Sequence, residues 1–244
     1  MELARNLLSM LFPSRCIICQ QTVRNAAINN NLEICLNCYQ SLPHNIDCCS
    51  RCSLPLADDM GRKLLCGRCI KQLPNYDYSH SLFRYEESII GLIHQMKFQE
   101  KISYARSIGE MLLVALSDEL LLKQGMPDCI IPVPLHYRRL KERGYNQSTE
   151  IARVVAYETG IKIAHDAVLR DKNTQMQKGL TAKQRQKNIS GVFNVVDVSS
   201  FKHVLIVDDV VTTGSTVNEL ARVLKQDGVE KVGVLSIARA PLKN

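Results

Sequence analysis

The chain has 244 residues, 45% hydrophobic and 23% charged, as in an ordinary globular protein with length for one large domain or two smaller ones. Its net charge of +7 is dispersed, with 8 basic and 5 acidic side chains over residues 1–73 and 23 and 19 beyond, so no basic tail compels a nucleic-acid partner. No apolar run is long enough for a transmembrane segment and Leu7–Phe12 is too weak for a signal peptide; a cytoplasmic location is expected, compatible with peripheral contact to a membrane machine.

Residues 1–12 read as a short amphipathic helix that Pro13 stops. Nine of the ten cysteines then fall between Cys16 and Cys69, eight of them as four CxxC pairs: Cys16/Cys19, Cys35/Cys38, Cys49/Cys52 and Cys66/Cys69. A CxxC turn lets two thiolates grip one ion, and two such turns complete a tetrahedral four-sulfur zinc site. Spacers of 15 residues after Cys19 and 13 after Cys52 favour sequential pairing, Cys16/Cys19/Cys35/Cys38 and Cys49/Cys52/Cys66/Cys69. Interleaved pairing and a single occupied site stay open, so one or two structural Zn2+ are expected. Structural zinc outranks redox chemistry, because a stretch this poor in core residues needs a metal to fold. Cys48 is left over and His44 reads as a surface residue. Pro74-Asn75 is the expected seam, giving a cysteine-rich zinc-binding domain at 1–74 and a second domain at 75–244.

From Tyr76 the pattern becomes that of an α/β protein with a parallel sheet flanked by helices. Strands are predicted at Tyr78–Tyr85, Cys129–Val133, Ala167–Leu169, Val192–Val196, Val204–Val207 and Lys231–Ile237. Helices are predicted at Glu86–Phe98, with Ile89, Ile90, Ile93 and Met96 on one face, and at Ile102–Leu122, Asn146–Glu158 and Ser215–Gln226. A polar segment, Asp171–Asn188, interrupts the alternation.

The most informative stretch is 204–216. Four buried-type residues run into Asp208-Asp209, and then into Thr212-Thr213-Gly214-Ser215-Thr216 at the start of a helix. Acids at the carboxyl edge of a parallel sheet sit where such folds bind ligands, and free N–H groups at the following helix start bind an anion. Carboxylates for sugar hydroxyls or a divalent cation, beside a phosphate cradle, suit a ribose 5-phosphate. Walker A, GxSxG, HExxH and GxGxxG patterns are absent, which argues against nucleoside-triphosphate hydrolysis, the common hydrolases and a dinucleotide fold. After the predicted strand at 129–133, Pro132 and Pro134 stiffen a segment carrying Arg138, Arg139, Lys141 and Arg143 against one acid, Glu142. Residues 170–193 carry Arg170, Lys172, Lys178, Lys183, Arg185 and Lys187 against Asp171.

The 204–216 motif resembles the 5-phosphoribosyl-1-pyrophosphate (PRPP) signature of type I phosphoribosyltransferases. The spacing Gln177-x2-Leu180-x4-Arg185-x2-Asn188-x2-Gly191-x-Phe193, the run Arg143-Gly-Tyr-Asn-Gln147 and the N-terminal CxxC pairs are similar to the ComF family of competence and DNA-utilisation proteins. The resemblance implies a phosphoribosyltransferase-type sheet preceded by a small zinc-ribbon domain. It implies that Asp208 and Asp209 are the catalytic pair, binding the ribose hydroxyls directly or through Mg2+, and that Thr212, Thr213, Gly214, Ser215 and Thr216 wrap the 5-phosphate. Arg138, Arg139, Lys141 and Arg143 then lie at the pyrophosphate loop, and residues 170–193 form a mobile hood. Two functions follow: a Mg2+-dependent phosphoribosyltransferase of unidentified acceptor, or a non-catalytic protein of DNA import that senses PRPP or grips single-stranded DNA. A third, weaker reading is an adaptor whose ribbons dock a DNA-uptake helicase or channel protein. With no Trp and 5% aromatic residues, the chain offers single-stranded DNA a thin stacking platform.

Overall fold

A computed structural model of the chain describes residues 15–23, 33–56, 64–98, 102–116, 123–171, 189 and 191–242. The predicted helix at 1–12 and all of the polar segment Asp171–Asn188 except Asp171 lie outside these residues. The chain divides into two compact units, residues 1–42 and 43–244. Among its described residues the smaller unit contains the first two CxxC pairs and one short helix, α1 (Leu36–Gln40).

The larger unit opens with the other two CxxC pairs and α2 (Gly67–Lys71), followed by β1 (Tyr78–Arg84), α3 (Glu87–Phe98) and α4 (Ile102–Ala115). Then come β2 (Cys129–Pro132), α5 (Tyr137–Arg143), α6 (Gln147–Thr159), β3 (Lys162–Ile163) and β4 (Val168–Arg170). β5 (Phe193–Val195), β6 (His203–Val211), α7 (Ser215–Gln226) and β7 (Lys231–Arg239) complete it. Five strands form a parallel sheet in the order β1-β7-β6-β2-β3. The central strands are runs of Val, Ile and Leu buried on both faces, as expected of parallel strands covered by helices. α6 lies over β2 and β6, with α4 packed against it, on one face. α7, β5 and the second cysteine cluster share the apolar core of the other.

Carboxylates fix the amino ends of the strands. Asp128 accepts from the N–H groups of Lys202 at 2.7 Å and His203 at 2.8 Å, and those two donors hold its carboxyl below the usual range. Asp77 accepts from Val232 N–H at 2.8 Å while its own N–H donates to the Val232 carbonyl at 2.7 Å. These contacts set the register of β2 against β6 and of β1 against β7.

Three expectations change. Val168–Arg170 and Phe193–Val195 pair antiparallel as a separate two-stranded sheet and do not join the parallel one. Each has one buried position, so only one side of the pair is covered. β6 runs four residues past Val207, to Val211, because β7 continues beside it. In α3, Leu92 is buried and Ile90 is 40% exposed, so the apolar face is Ile89, Leu92, Ile93 and Met96. β3 escapes sequence reading because its two residues, one exposed, carry no apolar run.

The α4–α6 packing depends on Gly109. A Cβ added there would lie 2.7 Å from the Cβ of Val154, an atom that cannot swing aside. Gly109→Ala gains up to about 1 kcal/mol of helix propensity, but forcing the helices apart costs about 1–3 kcal/mol. Urea denaturation is expected to show net destabilisation, and Gly109→Ala with Val154→Gly, which removes that Cβ, to be more stable than the sum of the single changes. A stabilised Gly109→Ala would contradict this packing.

Candidate functional site

The cysteines gather as sequential pairing predicts. Cys16, Cys19, Cys35 and Cys38 form one cluster and Cys49, Cys52, Cys66 and Cys69 another, with all four Sγ atoms of each within 4.8 Å of one another. All ten cysteines are free thiols. The clusters share one design. Gln20 N–H donates to the Cys16 carbonyl and Ser53 N–H to the Cys49 carbonyl, and the two donors have left-handed φ of 62° and 52°. Cys35 and Cys66 each precede a five-residue helix, and their N–H groups point at the Sγ of Cys16 (3.5 Å) and Cys49 (3.3 Å). Burial pushes the Cys16 and Cys49 thiols up, but main-chain N–H donors outweigh it and bring each to about 7. A preformed tetrad of sulfurs with N–H groups aimed at thiolates fits Zn2+. Their surroundings differ. The second cluster is wholly buried within the larger unit, whereas Cys19 of the first is exposed. Cys48 stands outside both clusters, in an isolated bridge with Pro55.

The crevice forms where the chain leaves β2 and β6 in opposite directions, toward β3 and β7, at the carboxyl ends of the strands. Ligands of open α/β sheets bind at such switch points. β2 stops at Pro132, opposite Val207, so residues 208–211 of β6 overhang it and are paired on the β7 side. Asp208 and Asp209 occupy this overhang. The Asp208 carboxylate accepts from the Ser148 hydroxyl at 3.1 Å, in the first turn of α6, and from Asp209 N–H at 2.9 Å. Asp209 is 9% exposed and accepts from Val210 N–H at 2.7 Å.

Thr212–Thr216 lead into α7. Gly214 is its N-cap in the left-handed region, φ 80°, which a side chain would strain. No side chain caps the helix start. Thr213 and Ser215 hydroxyls bond each other at 2.9 Å, and Thr212 is exposed. Ser215 N–H has a long bond to Thr213 Oγ1 at 3.4 Å. The loop thus combines hydroxyls with the N–H groups of a helix start whose N-cap, Gly214, has no side chain to cap it, which suits an anion.

The four predicted cations fall into different settings. They lie on the seven-residue helix α5, capped by His136 Nδ1 accepting from Arg138 N–H at 3.3 Å, and not in an extended loop. Arg138 turns onto exposed Tyr137, its guanidinium carbon 5.9 Å from the ring centroid and its Nε donating to the phenol at 3.1 Å. Arg143 donates to Gln147 at 3.1 Å, and Lys141 is exposed. Arg139 lies close enough to Arg170, which the sequence places in the hood, for its charge to act there. Burial lowers the Arg170 pKa, the Arg139 charge adds to that, and Asp208 opposes it, so the three groups share one field. Lys172, Lys178, Lys183, Arg185 and Lys187 lie outside the described residues.

Arg143–Gln147 proves to be a joint. Gly144, φ 76°, ends α5, and the Tyr145 hydroxyl donates to the Met96 carbonyl. Asn146 caps α6 by accepting from Ser148 N–H while its amide donates to the Val133 carbonyl at 3.0 Å. This clamp brings Ser148 to Asp208. Sequence reasoning missed Ser148, which carries no distinguishing signal. It also missed Arg239, whose signal was available as a cation closing the apolar run of β7.

The chain matches the phosphoribosyl transferase domain family over residues 108–243 and the double zinc ribbon domain over residues 7–70. The compact units part at residue 42, within the second of these matches. Competence protein F of Haemophilus influenzae is 34% identical over 233 residues, 94% of this chain and 98% of that protein. DNA utilization protein YhgH of Escherichia coli K12 is 32% identical over 207 residues, 84% of this chain and 90% of that protein. Competence protein ComFC of Streptococcus pneumoniae is 22% identical over 239 residues, 92% of this chain and all of that protein. With a phosphoribosyl transferase domain behind a double zinc ribbon, and these relatives along most of its length, the chain belongs to the ComF family.

Proposed function

We propose that the chain binds PRPP with Mg2+ at the β2/β6 crevice and transfers its phosphoribosyl group to an acceptor during uptake or use of exogenous DNA. The observation that carries this reading is the overhanging Asp208-Asp209 pair running directly into an anion-shaped loop at the start of α7. The spacing suits a sugar with phosphate at both ends. Asp208 and Asp209 accept from the ribose hydroxyls, with Ser148 and the Val210 N–H holding the carboxylates in place. Thr212, Thr213, Gly214, Ser215 and Thr216 surround the 5-phosphate with N–H and hydroxyl donors. Arg139 and Arg170 face the pyrophosphate end, where Arg138, Lys141 and Arg143 of α5 add positive field.

The adjacent carboxylates are hard oxygen donors that fit Mg2+, which would neutralise charge on the departing pyrophosphate. As the bond from C1′ to pyrophosphate loosens, the ribose ring becomes cationic and the acceptor arrives from the opposite side. The chain's share is to hold the ring and stabilise charge on both sides of it. The names of the relatives motivate the link to competence and DNA utilisation. Contact of the ribbons with a DNA-uptake helicase or channel protein is a partner reading of the same proposal.

A second reading, a non-catalytic grip on single-stranded DNA, is favoured by one observation. Tyr137 is 64% exposed with Arg138 over its ring, an aromatic and cation pair at the mouth of α5.

Calorimetry is expected to show PRPP binding in the presence of Mg2+. Asp208→Asn with Asp209→Asn should weaken it by more than about 100-fold, since charge-assisted hydrogen bonds contribute about 1.5–3 kcal/mol each. No binding by the wild type at millimolar PRPP would refute the assignment. Pyrophosphate release with a panel of bases, amines and nucleic acids separates enzyme from binder. Salt-dependent binding of single-stranded DNA that is lost in Arg138→Ala/Arg139→Ala, without pyrophosphate release, would favour the second reading.

Elemental analysis should find two zinc ions per chain, falling to one in Cys66→Ser/Cys69→Ser. Zinc should leave as pH drops, because every ligand must shed its proton to bind. A zinc-free chain with an unchanged fold would exclude structural zinc.

A further inference from the structure

The second cysteine cluster and the anion loop are joined by a buried cation. Arg239 closes β7 with a residue exposure of 2%. Its Nε donates to the carbonyl of Cys52 at 3.1 Å, and its Nη1 donates to the carbonyls of Val211 (2.9 Å), Thr212 and Ala240 (3.3 Å). No carboxylate among the described residues pairs with it. Arg68, between Cys66 and Cys69, reaches the Thr213 carbonyl at 3.4 Å. Asn75 donates its N–H to the Asn218 side chain on α7 at 2.8 Å. A Cβ on Gly214 would sit 3.9 Å from both Arg239 Nη2 and the Tyr76 hydroxyl, so these two side chains floor the loop.

We propose that Arg239 is a positioning residue for the anion loop, and that metal in the Cys49/Cys52/Cys66/Cys69 cluster and PRPP in the crevice bind cooperatively through it. This rests on the PRPP reading of the loop. The first reason is geometric. In a trans peptide the carbonyl of one residue and the N–H of the next point in opposite directions. Pinning the carbonyls of Val211, Thr212 and Thr213 toward Arg239 and Arg68 therefore turns the N–H groups of Thr212, Thr213 and Gly214 the other way, as an anion requires. The second reason is electrostatic. A buried guanidinium solvated by carbonyls lacks a counter-charge, and a zinc tetrathiolate carries net negative charge. With metal bound, the Cys52 carbonyl is fixed and the cluster balances Arg239. Without metal the Cys52 knuckle loosens, the arginine loses a partner, and the loop carbonyls are free to rotate.

The test uses the full chain carrying Cys16→Ser/Cys19→Ser, which leaves the second cluster as the metal site. PRPP affinity with Mg2+ is compared before and after zinc removal, and zinc loss to a chromogenic chelator is timed with and without PRPP. Amide hydrogen exchange over 211–217 is followed in Arg239→Met, Arg239→Lys and the parent, with the α6 core amides at 151–155 as the folding control. We expect zinc removal to weaken PRPP by about tenfold, within the usual range of coupling between sites, and PRPP to slow zinc loss by a comparable factor, since linkage is reciprocal. Exchange over 211–217 should speed up in Arg239→Met, with α6 unchanged and Arg239→Lys intermediate. PRPP affinity changing less than about twofold on zinc removal, or parent-like exchange in Arg239→Met, would overturn the proposal. Should Arg239→Met fail to fold, Arg68→Ala decides: it removes an exposed strut and should weaken PRPP severalfold at unchanged zinc content, while unchanged affinity would count against the brace. If the zinc-loaded parent binds no PRPP, the functional reading fails, and the exchange comparison alone still supports or refutes the brace.

Discussion

The pairing of β6 with β7 is the constraint on which the rest depends. Its register runs from His203 against Lys231 to Val211 against Arg239, so both strands end together, well past the end of β2. That shared overhang keeps Asp208 and Asp209 on rigid backbone and sets Arg239 beneath the loop. A one-residue slip would turn every side chain of one strand to the other face. Because Val204–Val207 and Val232–Ala238 are buried on both faces, the register is held at the strand ends, by the Asp77 contact with Val232 at one and the Arg239 contact with the Val211 carbonyl at the other. Sheet register, not loop chemistry, therefore decides where the candidate site lies.

The two cysteine clusters show how one local design serves different ends. Each has a knuckle closed by a left-handed residue, then a short helix whose first N–H faces a sulfur. Among the described residues of 1–42 that design has an exposed ligand, Cys19, and few buried apolar side chains, Ile17, Ile34 and Leu42, so a metal there would hold together what side-chain packing alone would not. In the larger unit the sulfurs pack among Ile131, Val211, Val217 and Leu220 as members of the core. The second cluster thus acts as part of the apolar layer over the sheet, and a change in it reaches the crevice through packed groups rather than through a linker.

The fold was largely legible because its signals were local. Runs such as Val204–Val207 state their burial, Asn146 and Gly160 bracket α6, and CxxC spacing announces the clusters. What stayed illegible depended on distant partners. The length of β6 follows from β7 continuing beside it. The antiparallel pairing of β4 with β5 follows from a one-sided cover that two short segments cannot declare. Arg138 and Arg139 read alike in sequence, yet one turns onto Tyr137 and the charge of the other acts on Arg170. Ser148 matters only because α6 starts where β6 overhangs.

The same contrast explains why functional-looking motifs divide their labour. Of Arg143–Gln147, the Gly ends a helix, the Tyr reaches α3, the Asn starts a helix and holds Val133, and the Gln receives the Arg. They place Ser148, and Ser148 orients the carboxylate. Catalysis by positioning demands such a supporting shell, because phosphoribosyl transfer asks the protein for geometry and charge instead of a covalent partner. A motif of this kind would persist whether the chain transfers the sugar or only binds it, so the motif alone does not separate enzyme from binder. The groups that would separate them are those on the acceptor side of the ring.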